Sequence, residues 1–119
     1  KELNPNELIL FGEQTQIEQV LINLLQNAIQ ALEDAEEKKI TLRAFIDEAG
    51  KIIIEVSDTG KGIEEEALSK IFIPFFTTKK KGSGIGLSLS KQIMRRHKGN
   101  IQVRSKLGEG TTFKLIFNG

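Results

Sequence analysis

The chain has 119 residues, of which 39% are apolar and 28% charged, and its formal net charge is +1. That length supports one domain with a core of its own rather than two, and the near-neutral balance gives no support to a general nucleic-acid binder. There is no cysteine, which rules out a disulfide frame or a thiolate metal site, and no run approaches the ~20 apolar residues of a membrane span.

The missing cysteines fit a reducing compartment, and nothing at the N-terminus resembles a signal peptide. A first residue of Lys1 rather than Met leads us to expect a piece of a longer protein. Leu8-Ile9-Leu10-Phe11, closed by Gly12, predicts a short strand. From about Thr15 to Leu32 a helix is predicted, because Ile17, Val20, Leu21, Leu24, Leu25, Ala28, Ala31 and Leu32 share one face at ~100° per residue. Asn23 and Asn27, four apart, fall on the border of that face. Asparagine is a poor helix-interior residue because its amide competes for backbone bonds, so two stacked mid-helix need a reason.

Glu33 to Lys39 is a charged connection. Ile40 to Ile46 and Ile52 to Asp58 then alternate as two strands around Asp47-Glu48-Ala49-Gly50, a hairpin that delivers Asp58 at its end. Residues 64–70 predict a short helix with acidic residues in its first turn. A second long helix is expected from Gly84 or Ile85 to His97, with Ile85, Leu89 and Ile93 in one row and Gly99 as its stop. Two strands, Ile101–Ser105 and Thr112–Phe117, close the chain around Gly108-Glu109-Gly110. The alternation suits an α+β two-layer sandwich: a mixed, mostly antiparallel sheet of about five strands, with helices on one face and water on the other.

Two glycine clusters bracket an aromatic and basic insert. Asp58-Thr59-Gly60-Lys61-Gly62-Ile63 ends a strand, and Gly82-Ser83-Gly84-Ile85-Gly86-Leu87 opens a helix. Between them runs Phe72-Ile73-Pro74-Phe75-Phe76-Thr77-Thr78-Lys79-Lys80-Lys81. Taken singly, each glycine cluster reads as a turn, the phenylalanines as core and the lysines as a solvated run. A carboxylate beside bare backbone can nevertheless accept a hydrogen bond from a small ligand, and a helix N-terminus preceded by glycines suits a phosphate. Neither the Rossmann fingerprint nor the P-loop pattern is present. What carries weight is the order: paired asparagines, D-x-G-x-G after a strand, G-x-G-x-G before a helix, then Gly108-Glu109-Gly110-Thr111-Thr112-Phe113.

Together these segments resemble the ATP-binding catalytic domain of sensor histidine kinases, which has the Bergerat ATP-binding fold. Gln19 to Leu32 looks like its N box, Asp58 to Gly62 its first glycine box, Phe72 to Lys79 its F box, and the two later clusters its remaining glycine boxes. The resemblance spans nearly the whole chain, 1–119, as a single domain with an ATP lid at about 60–84. It implies that Asp58 accepts from the exocyclic amine of adenine and that Asn27 binds Mg²⁺ through its amide oxygen. Asn23 is expected beside the triphosphate or the metal's water. Lys79, with Lys80 or Lys81, is expected to reach the phosphates, giving Asn23, Asn27 and Lys79 the catalytic roles. Gly60, Gly62, Ile63, Phe72, Gly82, Ser83, Gly84, Ile85, Gly86 and Leu87 would line the nucleotide. Thr111 or Thr112 would help hold the adenine; Thr112 is counted with the site, although alternation does not say which faces in.

The resemblance implies a kinase that binds Mg-ATP and donates the γ-phosphate to a histidine on a separate dimerisation and phosphoacceptor domain of the same protein. A response regulator would be an indirect partner, and the fragment would contact neither nucleic acid nor membrane. The location implied is cytoplasmic, with any membrane anchor outside these residues. His97 reads as a helix-end cap rather than the phosphoacceptor. The alternatives are a Bergerat-fold ATPase or a non-catalytic nucleotide-binding module. Bergerat ATPases carry E-x-x-x-N on this helix, their Glu serving as general base; Asn23 stands in its place, and an amide has no usable basicity.

Overall fold

Residues 14–33, 35–74, 76 and 86–118 are described in the computed structural model of the chain. Helix α1 (Gln14–Ala31) forms where the periodicity predicts it and turns Ile17, Val20, Leu24 and Ala28 into the core. Val20 and Leu24 are fully enclosed; truncating Leu24 to Ala would cost about 2–5 kcal/mol through lost transfer energy and the cavity left behind. Strands β1 (Ile40–Ile46) and β2 (Ile52–Asp58) follow as a hairpin. The Asp47 carboxylate closes its turn by accepting the N–H groups of Ala49 and Lys51 at 3.0 and 2.9 Å.

Then come the one-turn helix α2 (Glu65–Leu68), helix α3 (Gly86–Arg96), and strands β3 (Gly99–Lys106) and β4 (Gly110–Phe117). The sheet order is β1-β2-β4-β3, and every pairing is antiparallel. The fold is therefore α+β with an open antiparallel sheet. The described residues contain four strands rather than about five; the first predicted strand, Leu8–Phe11, lies outside them.

Register explains the core. Ile52, Ile54 and Val56 of β2 lie opposite Phe117, Leu115 and Phe113 of β4, and Leu115 lies opposite Ile101 of β3. All join Ile17, Val20, Leu24, Ala28, Ile71, Ile93 and Met94 in one cluster, so both long helices cover the same sheet face. The opposite face is not simply wet, as alternation suggested. Ile53 and Glu55 are buried there, because β2 lies inside the sheet and neighbouring side chains close over it. Arg43 reaches across from β1 to pair with Glu55 at 3.3 Å and lies over the Phe45 ring.

Two expectations about α3 change. Its buried positions are Ser88, Ser90, Ile93 and Met94, whereas Leu89 is 37% exposed, so within the predicted row Ile93 is packed and Leu89 is not, Ile85 lying outside the described residues. The reason is that α3 meets α1 partly through polar contacts at Ser90, described below. Gly99 is also not the left-handed stop. Lys98 takes that conformation with φ 56°, and its carbonyl accepts from the Asn118 amide at 2.6 Å. Gly99 already belongs to β3, where a Cβ would lie 2.6 Å from the Ile116 carbonyl oxygen and 2.8 Å from the Met94 methyl. The glycine serves close packing, and the lysine next to it bears the backbone cost.

Candidate functional site

At one end of the sheet, register sets four residues in a row on the helix-covered face: Ile40 of β1, Asp58 of β2, Thr111 of β4 and Ser105 of β3. Asp58 is 9% exposed and Thr111 5%. One Asp58 carboxylate oxygen accepts the Gly60 N–H at 2.9 Å, which folds the chain back as it leaves the strand. Thr111 is thus the threonine beside Asp58. Thr112, counted with the site from sequence, points to the other face, where its hydroxyl meets that of Ser57 at 2.9 Å. Pleating allows only one of two successive residues to face the helices, and Asp58 fixes which one.

The loop after Asp58 is pressed between α1 and the β3–β4 turn. A Cβ on Gly60 would stand 2.5 Å from the Ala31 carbonyl oxygen, so only glycine fits against the end of α1. Gly62 has φ 80° and would drive a Cβ into the Lys106 carbonyl. The backbone is held there by Gly108 N–H to the Lys61 carbonyl at 2.9 Å and by Ile63 N–H to Ser105 Oγ at 2.8 Å. Thr59 fastens the other flank, donating its hydroxyl to the Glu37 carbonyl at 2.8 Å and accepting the Lys39 N–H at 2.9 Å.

Asn23, Asn27 and Ala31 are successive i, i+4 positions on α1 and form a single row of ~12 Å at 1.5 Å per residue. Ala31 touches the loop at Gly60, and Asn23 touches the start of α3. The Asn23 amide donates to the Gly86 carbonyl at 3.1 Å and to Ser90 Oγ at 3.2 Å, while its oxygen accepts from Gln19 at 3.0 Å. Its polar atoms are therefore engaged with protein, which makes Asn23 a clamp on α3. Asn27 lies midway, half-buried. Among the described residues no group of three or more acidic or histidine side chains gathers to hold a metal. A single amide oxygen suits Mg²⁺, which relies on phosphate and water for most of its ligands, so these residues fit that ion.

Of the other predicted residues, Ile63 and Leu87 are half-buried against the core and Gly86 opens α3. Phe72 and Phe76 pack at the edge of the core, with the Lys91 ammonium 5.0 Å from the Phe72 ring centre; Phe72 therefore stands with the core edge rather than in the Asp58 row. Lys79, Gly82, Ser83, Gly84 and Ile85, with Phe75, Thr77, Thr78, Lys80 and Lys81, lie outside the described residues. His97 Nδ1 is 2.8 Å from the Ile93 carbonyl; a carbonyl only accepts, so Nδ1 carries the proton and the ring caps α3 as expected.

Ser105, Thr59 and Ser90 escaped the sequence reading. Each is a small hydroxyl with at least one partner far away in the chain (Ile63 for Ser105, Glu37 and Lys39 for Thr59, Asn23 for Ser90), which no local spacing marks. The one available signal was Ser105 itself, a hydroxyl on the inward-facing phase of Ile101 and Val103.

The chain matches the family described as histidine kinase-, DNA gyrase B- and HSP90-like ATPase over residues 12–118. It is 43% identical over 114 residues to the C4-dicarboxylate transport sensor protein DctB of Rhizobium meliloti, covering 96% of this chain and 18% of that protein. To the sensor histidine kinase ZraS of Escherichia coli it is 46% identical over 97 residues, covering 82% of this chain and 20% of that protein. The chain thus spans about a fifth of these relatives' length. Among solved structures, the catalytic domain of histidine kinase ThkA superposes with a TM-score of 0.75 at 39% identity, covering 89% of this chain and 68% of that one. The boxes, the antiparallel sheet and these likenesses agree: the chain belongs to the histidine kinase-, DNA gyrase B- and HSP90-like ATPase family, as an ATP-binding catalytic domain of the sensor histidine kinase type.

Proposed function

We propose that this domain binds Mg-ATP and donates the γ-phosphate to a histidine on a separate dimerisation and phosphoacceptor domain of the same full-length protein. A response regulator then takes the phosphoryl group in turn. The observation that supports this most is the α1 row, with Asn27 held between the loop after Asp58 and the first turn of α3. In this reading Asp58 and Thr111 receive the adenine and Asn27 supplies the metal's protein oxygen. Mg²⁺ would neutralise phosphate charge. The segment from about 60 to 84, with Lys79 and the glycines that follow, is assigned to the cover over the phosphates. Such a site needs to position ATP for an external nucleophile rather than activate water. Asn23 favours transfer to protein over hydrolysis: a Glu there would act as base, whereas an amide cannot, and this one is already bonded to Gly86 and Ser90.

No helix among the described residues is long and apolar enough to cross a membrane, and the reading assigns the domain to the cytoplasm. The test is to mix the chain with γ-labelled Mg-ATP and the separately expressed phosphoacceptor domain of the same gene. Label on a histidine of that partner is expected. Binding without transfer would support a passive module, and steady phosphate release by the chain alone, lost in Asn27→Ala, would support an ATPase.

A further inference from the structure

We infer that Ser105 is a specificity-determining positioning residue: it takes up the hydroxyl proton of Thr111 and leaves Thr111 facing the nucleobase as an acceptor only. The inference rests on the reading of the Asp58 row as the base end of an ATP site, and deepens it.

The argument is a count of protons. Three groups meet Ser105 Oγ: the Ile63 N–H at 2.8 Å, the Gly110 carbonyl at 3.0 Å and Thr111 Oγ1 at 2.7 Å. The amide N–H can only donate, and it fills one lone pair of Oγ. The carbonyl can only accept, and it takes the single serine proton. For the third contact to be a hydrogen bond, Thr111 must donate into the remaining lone pair. Ser105 is then saturated, and Thr111 has no proton left for anything else. At 5% exposure Thr111 has little water with which to exchange this arrangement.

Thr111 lies directly opposite Asp58 in register. An ionised carboxylate is also an acceptor only, so the two neighbouring groups at the base end both present lone pairs rather than protons. Adenine offers an exocyclic amine, whereas guanine presents a carbonyl oxygen at the equivalent position. The pair thus favours the aminated purine, and a guanine oxygen would meet two acceptors with no proton between them. Ser105 touches no ligand in this scheme; it acts by fixing the hydroxyl of its neighbour. If Ser105 is lost, the Thr111 hydroxyl is free to rotate and donate toward a carbonyl.

The experiment is calorimetric titration of the full chain with Mg-ATP and with Mg-GTP, comparing the affinity ratio rather than either affinity. Ser105→Ala is expected to lower the ATP-over-GTP ratio about tenfold, the worth of one hydrogen-bond polarity, while Ser105→Thr keeps it. In a Thr111→Val background Ser105→Ala should change the ratio no further. A Ser105→Ala chain that binds ATP with an unchanged ratio overturns the proposal, since a merely structural serine would behave that way. If Ser105→Ala does not fold, Thr111→Val decides: a lowered ratio supports the acceptor role and a wild-type ratio overturns it. A wild-type chain that binds neither nucleotide overturns the ATP reading itself, before any variant is compared.

Discussion

The amide of Asn23 on α1 donates to the carbonyl of Gly86, the first residue of α3, across 63 positions of sequence and 3.1 Å of space. Ser90, one turn into α3, donates to the same carbonyl at 2.9 Å and accepts from the same amide. The position where Bergerat ATPases hold a basic carboxylate is here a donor, used to seat the helix that follows the glycine-rich segment. The side chain locks two helices together and, on the proposed reading, also withholds a general base.

Asn23→Asp should therefore destabilise the domain although it is nearly isosteric. A carboxylate cannot donate to the Gly86 carbonyl and would face it with negative charge. A loss of about 1–3 kcal/mol is expected, the cost of a partly buried bond left unmade, read as a lower urea midpoint at pH 7. An unchanged midpoint would show that the amide does not hold α3.

On the proposed reading Asp58 has two jobs that substitution can separate: the turn bond to Gly60 and reception of the base. Asp58→Asn keeps an oxygen for the Gly60 N–H but can present a donor to the base, so it should weaken ATP binding by about 1–3 kcal/mol while stability barely moves. Asp58→Ala should lose both. Calorimetry with ATP and thermal melts of the two variants will tell; equal melting losses would mean that the turn bond contributes nothing.

Thr112→Val removes the hydroxyl contact with Ser57 on the far face of the sheet. The expected cost is about 0.5–1.5 kcal/mol of stability with ATP affinity unaltered. Weaker nucleotide binding would put Thr112 back into the site.

Metal removal should act through Asn27. Wild-type affinity for ATP is expected to drop when Mg²⁺ is chelated, and Asn27→Ala should show little further dependence on the ion. A variant that keeps the full Mg²⁺ effect would assign the metal to other groups.

The Lys98–Gly99 pair gives a stability test away from the site. Lys98→Gly should relieve left-handed strain, less the entropy returned to the unfolded chain, for a net gain of about 0.5–1 kcal/mol. Gly99→Ala should destabilise, because its Cβ would press on the Ile116 carbonyl and the Met94 methyl. The opposite pattern, gain at 99 and loss at 98, would contradict the backbone described.

Much of this molecule is legible from the chain alone. Period-3.6 and period-2 patterns placed α1, β1, β2, β3 and β4 to within two residues, because burying one face is what those elements are for. The ordered boxes singled out Asp58, Gly60 and Gly62, which the structure joins in one turn, since they lie within a few residues of one another. Gly60 and Gly62 are glycine for reasons that local spacing signals but does not explain; the obstructing atoms belong to Ala31 and Lys106.

What tertiary structure decided are the pairings between distant segments. Alternation alone left Thr111 and Thr112 equivalent, and only the register of β4 against β2 put Thr111 beside Asp58. Ser105 was marked only by its inward-facing phase, since its partners come from the loop at Ile63 and from the start of β4 at Gly110 and Thr111. Asn23 was conspicuous in sequence as an amide out of place, but its donation to Gly86 needed α1 and α3 side by side. Periodicity reports which face of an element is buried, because burial depends on one residue at a time. Hydrogen-bond polarity depends on two partners and their protons, and that is settled only when the chain has brought both to within about 3 Å.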